Sequence, residues 1–290
     1  MALRVMTGIV LAALLAFAMP VEAGARGAAA VRKQAVSSLR VSGNIVIGTD
    51  GGVRSHELDP EAPLTPVLVD FIAGTIAKWK FEPVLVDGKP VNARVPVSLR
   101  LVAQPADDGK YDISIVSTYF GSKADAPATD SLKSIQQTPP KYPKTALLMG
   151  GKGVVYLLVE VGRDGKVANV DAEQVNLGVV GGEREMDVLR SQFTAAALRA
   201  AKGWTFAIPT TGNQANDDSW ILRVPVQFVL TGPGEQQHKE GTWDTYIPGP
   251  RNMEIPWAQK KLKTAGSPDA LPDDGIYPLR QGATLLTPLG

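Results

Sequence analysis

Residues whose side chains could do chemistry are few in this 290-residue chain, and none stands at a spacing that chemistry needs. There are two histidines. His56 lies in a strand-like run beside Glu57 and His238 in a polar stretch, and neither belongs to an H-x-x-x-H or similar ligand pattern. Gly150-Gly151-Lys152-Gly153 lacks the full phosphate-loop spacing and precedes a strand rather than a helix, so it reads as a turn. The adjacent carboxylates Asp107-Asp108, Asp217-Asp218 and Asp273-Asp274 stand in loop-like sequence and read as solvated turns, not as an acid/base pair. No G-x-S-x-G elbow is present, and the chain has no cysteine, which excludes disulfides and thiolate chemistry. The expectation is a non-enzyme: no catalytic residues, no metal ligands and no cofactor.

Composition narrows the class further. Hydrophobic residues make up 44% of the chain, enough for packed cores, and the net charge is +1. A nucleic-acid binder would carry a basic excess or stripe, so none is expected here. Arg4 followed by the apolar run Thr7 to Met19 resembles the n- and h-regions of a signal peptide, with Val21-Glu22-Ala23 as a cleavage site. The run is shorter than the ~20 residues that span a bilayer. The expected location is the periplasm after cleavage behind Ala23, with an uncleaved inner-membrane anchor as the alternative.

With no chemistry to position, the pattern of elements carries the information, and it repeats. Gly43 to Ile47 alternates like a strand, Asp50-Gly51-Gly52 turns it, and Val53 to Leu58 returns. Between Pro63 and Lys78, Leu64, Val67, Leu68, Phe71, Ile72 and Ile76 recur at helical spacing. Trp79-Lys80-Phe81-Glu82-Pro83, a hairpin signal at Asp87-Gly88 and a long strand from Arg94 to Leu101 follow. The order recurs downstream. Gly153 to Val161, the turn Arg163-Asp164-Gly165-Lys166 and Val167 to Val175 come first, then helical spacing over Met186 to Lys202, the junction Trp204-Thr205-Phe206-Ala207-Ile208-Pro209 and a strand from Arg223 to Leu230. Arg-Val-Pro-Val occurs at both 94–97 and 223–226. The fold class is therefore α+β: two ββαβ modules, each a small antiparallel sheet with one helix on one face, plus an extended tail. The expected organisation is a signal peptide over 1–23, a flexible segment over 24–38, a first module over 39–121, a linker over 122–135, a second module over 136–232 and a Pro/Gly-rich tail over 233–290. Tyr111 to Ser117 alternates and could add a strand to the first sheet or cross between modules. The tail, expected to dock partly on the second module with its middle looser, carries Trp243, Tyr246, Trp257 and Tyr277. Pro96 and Pro225 sit inside strand patterns, which predicts a partly unpaired edge on the last strand of each module.

The second module resembles the TonB C-terminal domain family. The resemblance rests on Pro139-Pro140-Lys141-Tyr142-Pro143, Gly150 to Val155, Val159-Glu160-Val161, Asp164-Gly165-Lys166-Val167, Ala196 to Leu198, Trp204-Thr205-Phe206 and Val224-Pro225-Val226-Gln227-Phe228. The first module looks like a diverged copy that keeps Trp-x-Phe-x-Pro but lacks Pro-x-Tyr-Pro. The resemblance implies capture of an extended segment of an outer-membrane receptor, or of another envelope protein, by strand addition to the last strand, in the service of transmembrane transport. It assigns protein binding to Pro140, Tyr142, Pro143, Leu222, Val224, Val226, Phe228 and Leu230. Membrane association would be peripheral and through partners, and the two-module layout permits a homodimer. The alternative is a structural envelope protein whose edges are capped by strand 111–117 or by the tail.

Overall fold

A computed structural model describes residues 21–106, 110–121, 129–212, 214–230, 240–263, 265–279 and 282–289, with side chains from residue 27 onward. The expected signal segment Thr7 to Met19, the pair Asp107-Asp108 and His238 lie outside the described residues. Residues 24–38, read as flexible, instead belong to helix α1 (Val21–Arg32) and the start of strand β1 (Val36–Ile47). The reason is Val31, which is drawn into the core of the second half at 2% exposure.

β1 turns through Gly51, at φ 76°, into β2 (Val53–Leu58). Asp50 Oδ1 accepts the Gly52 N–H at 3.1 Å, so the aspartate closes the turn with its own side chain. Helix α2 (Pro66–Ile76) follows and buries Leu68, Ile72 and Ile76. Pro66 opens it, where the missing N–H costs no helical bond, so the helix starts later than the apolar spacing at Leu64 suggests. A two-residue hairpin, β3 (Leu85–Val86) and β4 (Lys89–Pro90), turns on Asp87-Gly88, both at positive φ. β5 (Ala93–Pro105) and β6 (Tyr111–Phe120) complete the first sheet, whose order is β12-β1-β5-β6, with β2 beside the second part of β1 and β12 (Trp243–Tyr246) beside its first part. Strand 111–117 thus joins the first sheet.

The second half begins with β7 (Lys133–Gln136) and the short helix α3 (Lys144–Leu148). β8 (Gly153–Gly162) and β9 (Val167–Leu177) form a hairpin around Gly165, helix α4 (Glu183–Ala201) packs across it, and β10 (Thr205–Ala207) leads to β11 (Ser219–Phe228). The sheet order is β13-β11-β8-β9, with β13 (Tyr277–Pro278) drawn from the tail after the short helix α5 (Gln259–Leu262). Both halves are antiparallel, and β2-β1-β5 has the same neighbour order as β9-β8-β11. The chain is α+β with small antiparallel sheets, as its patterning predicts.

Period-two alternation separates the two faces of each sheet. Val155, Leu157, Val159 and Val161 of β8 share a core with Met186, Leu189, Phe193 and Ala197 of α4. Leu39, Val41, Ile45 and Ile47 of β1 and Val95, Val97, Leu99 and Leu101 of β5 share the other with Ile72 and Ile76 of α2. The opposite, helix-free faces carry Arg40, Ser98, Arg100, Tyr156 and Arg223, yet all five are buried. They are covered by the tail between residues 266 and 279, which lies against both sheets. The middle of the tail, expected to be loose, is among its most buried parts: Ala270 and Leu271 are 0% exposed.

Pro96 meets the expectation of a partly unpaired edge only at the start of its strand, where residues 93–96 have no partner in β6. β5 is an interior strand, flanked by β1 and β6, and Pro96 lies where β6 ends: Phe120 pairs with Val97, and the Gly121 N–H donates to the Pro96 carbonyl at 2.9 Å. The ladder on that side stops at the proline.

Each hairpin turn also abuts its own Trp-x-Phe junction. Phe81 N–H donates to Gly51 O at 2.8 Å, and Phe206 N–H donates to Gly165 O at 2.7 Å. A Cβ on Gly165 would fall 2.3 Å from Phe206 O, whereas a Cβ on Gly150, also at positive φ, would meet nothing within 4 Å. Gly150→Ala is therefore expected to cost about 1–2 kcal/mol from backbone strain alone, and Gly165→Ala distinctly more, as compared by urea denaturation of the two variants.

Candidate functional site

β11 is the strand on which the sequence places a binding site, and its side chains and its edge have separate roles. Leu222, Val224, Val226 and Phe228 all point into the α4 core and are buried. They cannot be contacted by a partner without unfolding the module. Leu230 lies beyond the strand end and is half-buried. What remains available is backbone.

The edge of β11 is half covered. Along one side it pairs with β8 over its whole length, from Ser219 opposite Gly162 to Phe228 opposite Gly153. On the other side Leu222 and Arg223 pair with Pro278 and Tyr277, and the Leu279 N–H donates to Ile221 O at 2.9 Å. That bond fixes the phase: the main-chain groups of residues 221, 223, 225 and 227 point outward, since in-plane direction alternates along a strand. Pro225 therefore directs its missing N–H away from β8, consistent with the edge expected there. Among the described residues no strand lies beside Val224 to Phe228 on this side. Val229 is 45% exposed just beyond.

The lead-in motif meets the far end of this edge. The Tyr142 ring stands edge-on to Phe193 at 5.8 Å and to Phe228 at 5.7 Å, while Phe193 and Phe228 stack at 4.3 Å. The Tyr142 hydroxyl donates to Gly151 O, and burial pushes its pKa up. Pro143 caps α3 at φ −67° and Pro140 is half-buried. The structure thus joins Tyr142 to Phe228. Leu222 sits at the opposite end of the strand, under β13.

The residues that set how much edge is free were not apparent from sequence. Arg223 makes a bidentate pair with Glu173 of β9, both bonds 2.8 Å, and also donates to Gly266 O at 2.8 Å. Arg251 adds a second guanidinium to Glu173 at 2.7 Å and donates to Gly266 O at 2.9 Å. Arg40 pairs with Asp273 at 2.7 and 2.8 Å and donates to Leu271 O. Arg100 donates to Asp269 O at 2.7 Å and Ser98 to Ala270 O at 2.5 Å. Gln227 Nε2 donates to Asp273 O at 3.1 Å. Buried guanidiniums from both sheets therefore hold the tail carbonyls of Gly266, Asp269 and Leu271. Burial lowers the Arg223 pKa against the opposing pull of Glu173. Burial also works against the Arg40 charge, but Asp273 outweighs it and the pKa is raised. Burial raises the pKa of Tyr156 and of Tyr277. The signal in sequence is a charged residue between two apolar ones in each strand: Leu39-Arg40-Val41, Leu99-Arg100-Leu101 and Leu222-Arg223-Val224.

A cavity of about 760 Å³ opens between β6 and the start of β11, lined among others by Val116, Thr118, Trp220, Ile221, Leu279 and Leu285. Among the described residues no group of three His, Asp or Glu side chains could hold a metal ion. None of the described helices is long and apolar enough to cross a membrane.

The fold and its edges define a small α+β protein with antiparallel sheets. Comparison with known proteins adds one likeness. The chain is 35% identical over 107 residues to the TonB protein of Xanthomonas campestris pv. campestris, in two strains. The match covers 37% of this chain and 42% of those relatives, so over that stretch the chain is TonB-like while spanning less than half their length. No family model matches the chain, and no solved structure matches it significantly.

Glu173 is the shared counter-charge of two guanidiniums and is 0% exposed. Glu173→Gln would leave Arg223 and Arg251 with no anionic partner there and is expected to destabilise by about 3–5 kcal/mol, as measured by chemical denaturation.

Proposed function

We propose that this chain is an exported, non-catalytic envelope protein of the TonB type, which binds an extended segment of a partner protein by strand addition along β11. The observation that carries the reading is the free part of that edge. Gln227, the one partly exposed residue between Ile221 and Phe228, directs its N–H and C=O outward beyond the short cover of β13. Resemblance over 107 residues to a protein named TonB supports the same assignment. The partner is the periplasmic segment of an outer-membrane receptor, and the role is in transport across that membrane. The chain resides in the periplasm, held near the membrane only by its partners. Tyr142 packs on Phe228 at the C-terminal end of β11, and the buried side chains of the strand keep the edge rigid. Specificity then comes from residues flanking the edge, since main-chain pairing is common to all sequences.

A second reading has its own observation. β6 covers the outer side of β5 from Val97 to Pro105, and β13 covers the start of β11. A protein with every edge used in this way would be structural. The two readings differ in whether the lower half of β11 accepts a ligand.

Titration of the full chain with synthetic receptor-derived peptides, followed by fluorescence anisotropy, distinguishes them. Saturable binding in the micromolar range supports strand addition, and no binding at high micromolar concentration removes it. Gln227→Pro deletes one outward donor while keeping a residue that an edge position tolerates. It is expected to weaken peptide binding about three- to tenfold, with a stability loss of about 1 kcal/mol from the Gln227 bond to Asp273 O that goes with it.

A further inference from the structure

The two Trp-x-Phe junctions are completed in the same way by unrelated parts of the chain. In the second half, β10 pairs antiparallel with β7: Thr205 lies opposite Gln136, Phe206 opposite Ser134 and Ala207 opposite Lys133. The Trp204 indole N–H donates to Thr138 O at 3.0 Å, and Leu132 is buried in the core at 2% exposure. In the first half, Phe81 bridges to Leu285, the Glu82 N–H donates to Thr284 O at 3.0 Å, and the Leu286 N–H donates to Lys80 O at 2.8 Å. The Trp79 indole N–H donates to Leu289 O at 3.3 Å, and Ala283 is buried at 6% exposure. Position by position, residues 283–289 stand where 132–138 stand: Ala283 for Leu132, Leu285 for Ser134 and Leu289 for Thr138.

The junction explains why a donor is needed. Phe81 turns its N–H to Gly51, so the main-chain groups of Lys80 and Glu82 face the other way and form an open strip. In the second half the segment just upstream of β8 fills that strip. The residues upstream of β1 cannot, because α1 carries Val31 into the other core. The first half therefore takes its donor from the far end of the chain.

One mismatch points to a ligand. Ala283 is smaller than its counterpart Leu132, and Ala283, Leu285 and Leu289 line the cavity of about 760 Å³ together with Leu132. The strip is thus filled by a donor that leaves space beside its buried residue. The segment 283–289 carries no charge.

We propose that the strip Trp79–Glu82 is a second peptide-acceptor site, which takes an extended uncharged segment of a partner protein bearing leucine or valine at the place of Ala283, and that residues 283–289 occupy it as a built-in competitor. The site is separate from the β11 edge, which β13 caps at its start, and lies on the other sheet. The tethered segment competes at high effective concentration, so the intact chain takes up the partner weakly and a chain with a weakened segment takes it up well.

The test uses the full chain with Ala283→Asp, which places a carboxylate at the buried position, and two labelled peptides. One has the sequence of residues 282–289; the other is the same peptide with Ala283→Leu. The variant is expected to bind the leucine peptide about tenfold or more tightly than the native-sequence peptide, and the unaltered chain to bind both at least tenfold more weakly. Amide exchange at Glu82 should quicken in the variant and slow again with peptide. Equal affinity for the two peptides, or no protection of Glu82 at millimolar peptide, overturns the proposal. Should the variant be unfolded, the same peptides at millimolar concentration must restore its folded circular-dichroism signal, the leucine form at lower concentration, and failure to do so is equally decisive against it.

Discussion

Guanidiniums buried between two sheets are the constraint on which this molecule turns. Arg40, Arg100 and Arg223 project from helix-free faces that cannot be left dry and unpaired, because an uncompensated buried charge costs several kcal/mol. Glu173 and Asp273 supply counter-charge, but the guanidiniums also need acceptors. The tail supplies them as backbone carbonyls at Gly266, Asp269 and Leu271. An irregular stretch of the tail thus packs against both sheets and covers the face that each would otherwise expose.

That arrangement decides which edges are free. Tail residues 277–279 are positioned by the same ionic layer, and they reach only the first half of β11. The tail then continues to the first module and completes its junction through Leu285. One covalent segment therefore seals two faces, caps half of one edge and fills a strip on another sheet. The free part of β11 is what this leaves over, close to Tyr142 and Phe228, where three stacked or edge-on rings stiffen the strand end. Rigid backbone with unused donors and acceptors favours an added strand because little ordering remains to be done on binding.

Much of this was legible in the sequence. The hairpins over Gly51 and Gly165, the helix carrying Met186, Leu189 and Phe193 and the Trp-x-Phe junctions follow from local alternation, helical spacing and turn chemistry, all of which are written in adjacent residues. The tail was not legible. Its strands are 4 and 2 residues long, too short to show a period, and its hold on the sheets is through carbonyls, which every residue has. The same limit explains the two prolines. Pro225 and Pro96 share a tetrapeptide, but whether the strand beside it continues depends on residues far away in sequence, and β6 is present for one and only β13 for the other. Likewise, alternation over Leu222, Val224, Val226 and Phe228 marks a strand, but alternation alone did not say which of its faces meets the helix and serves the core.

The account rests on β11 being covered at one end and open at the other. Amide hydrogen exchange on the full chain, resolved residue by residue, tests this most directly. Arg223, paired on both sides, should exchange only with global unfolding, while the outward amides of Gln227 and Val229 should exchange orders of magnitude faster under the same conditions. Equal slow exchange at Arg223 and Gln227 would mean that the edge is already occupied along its length, and would contradict the central claim.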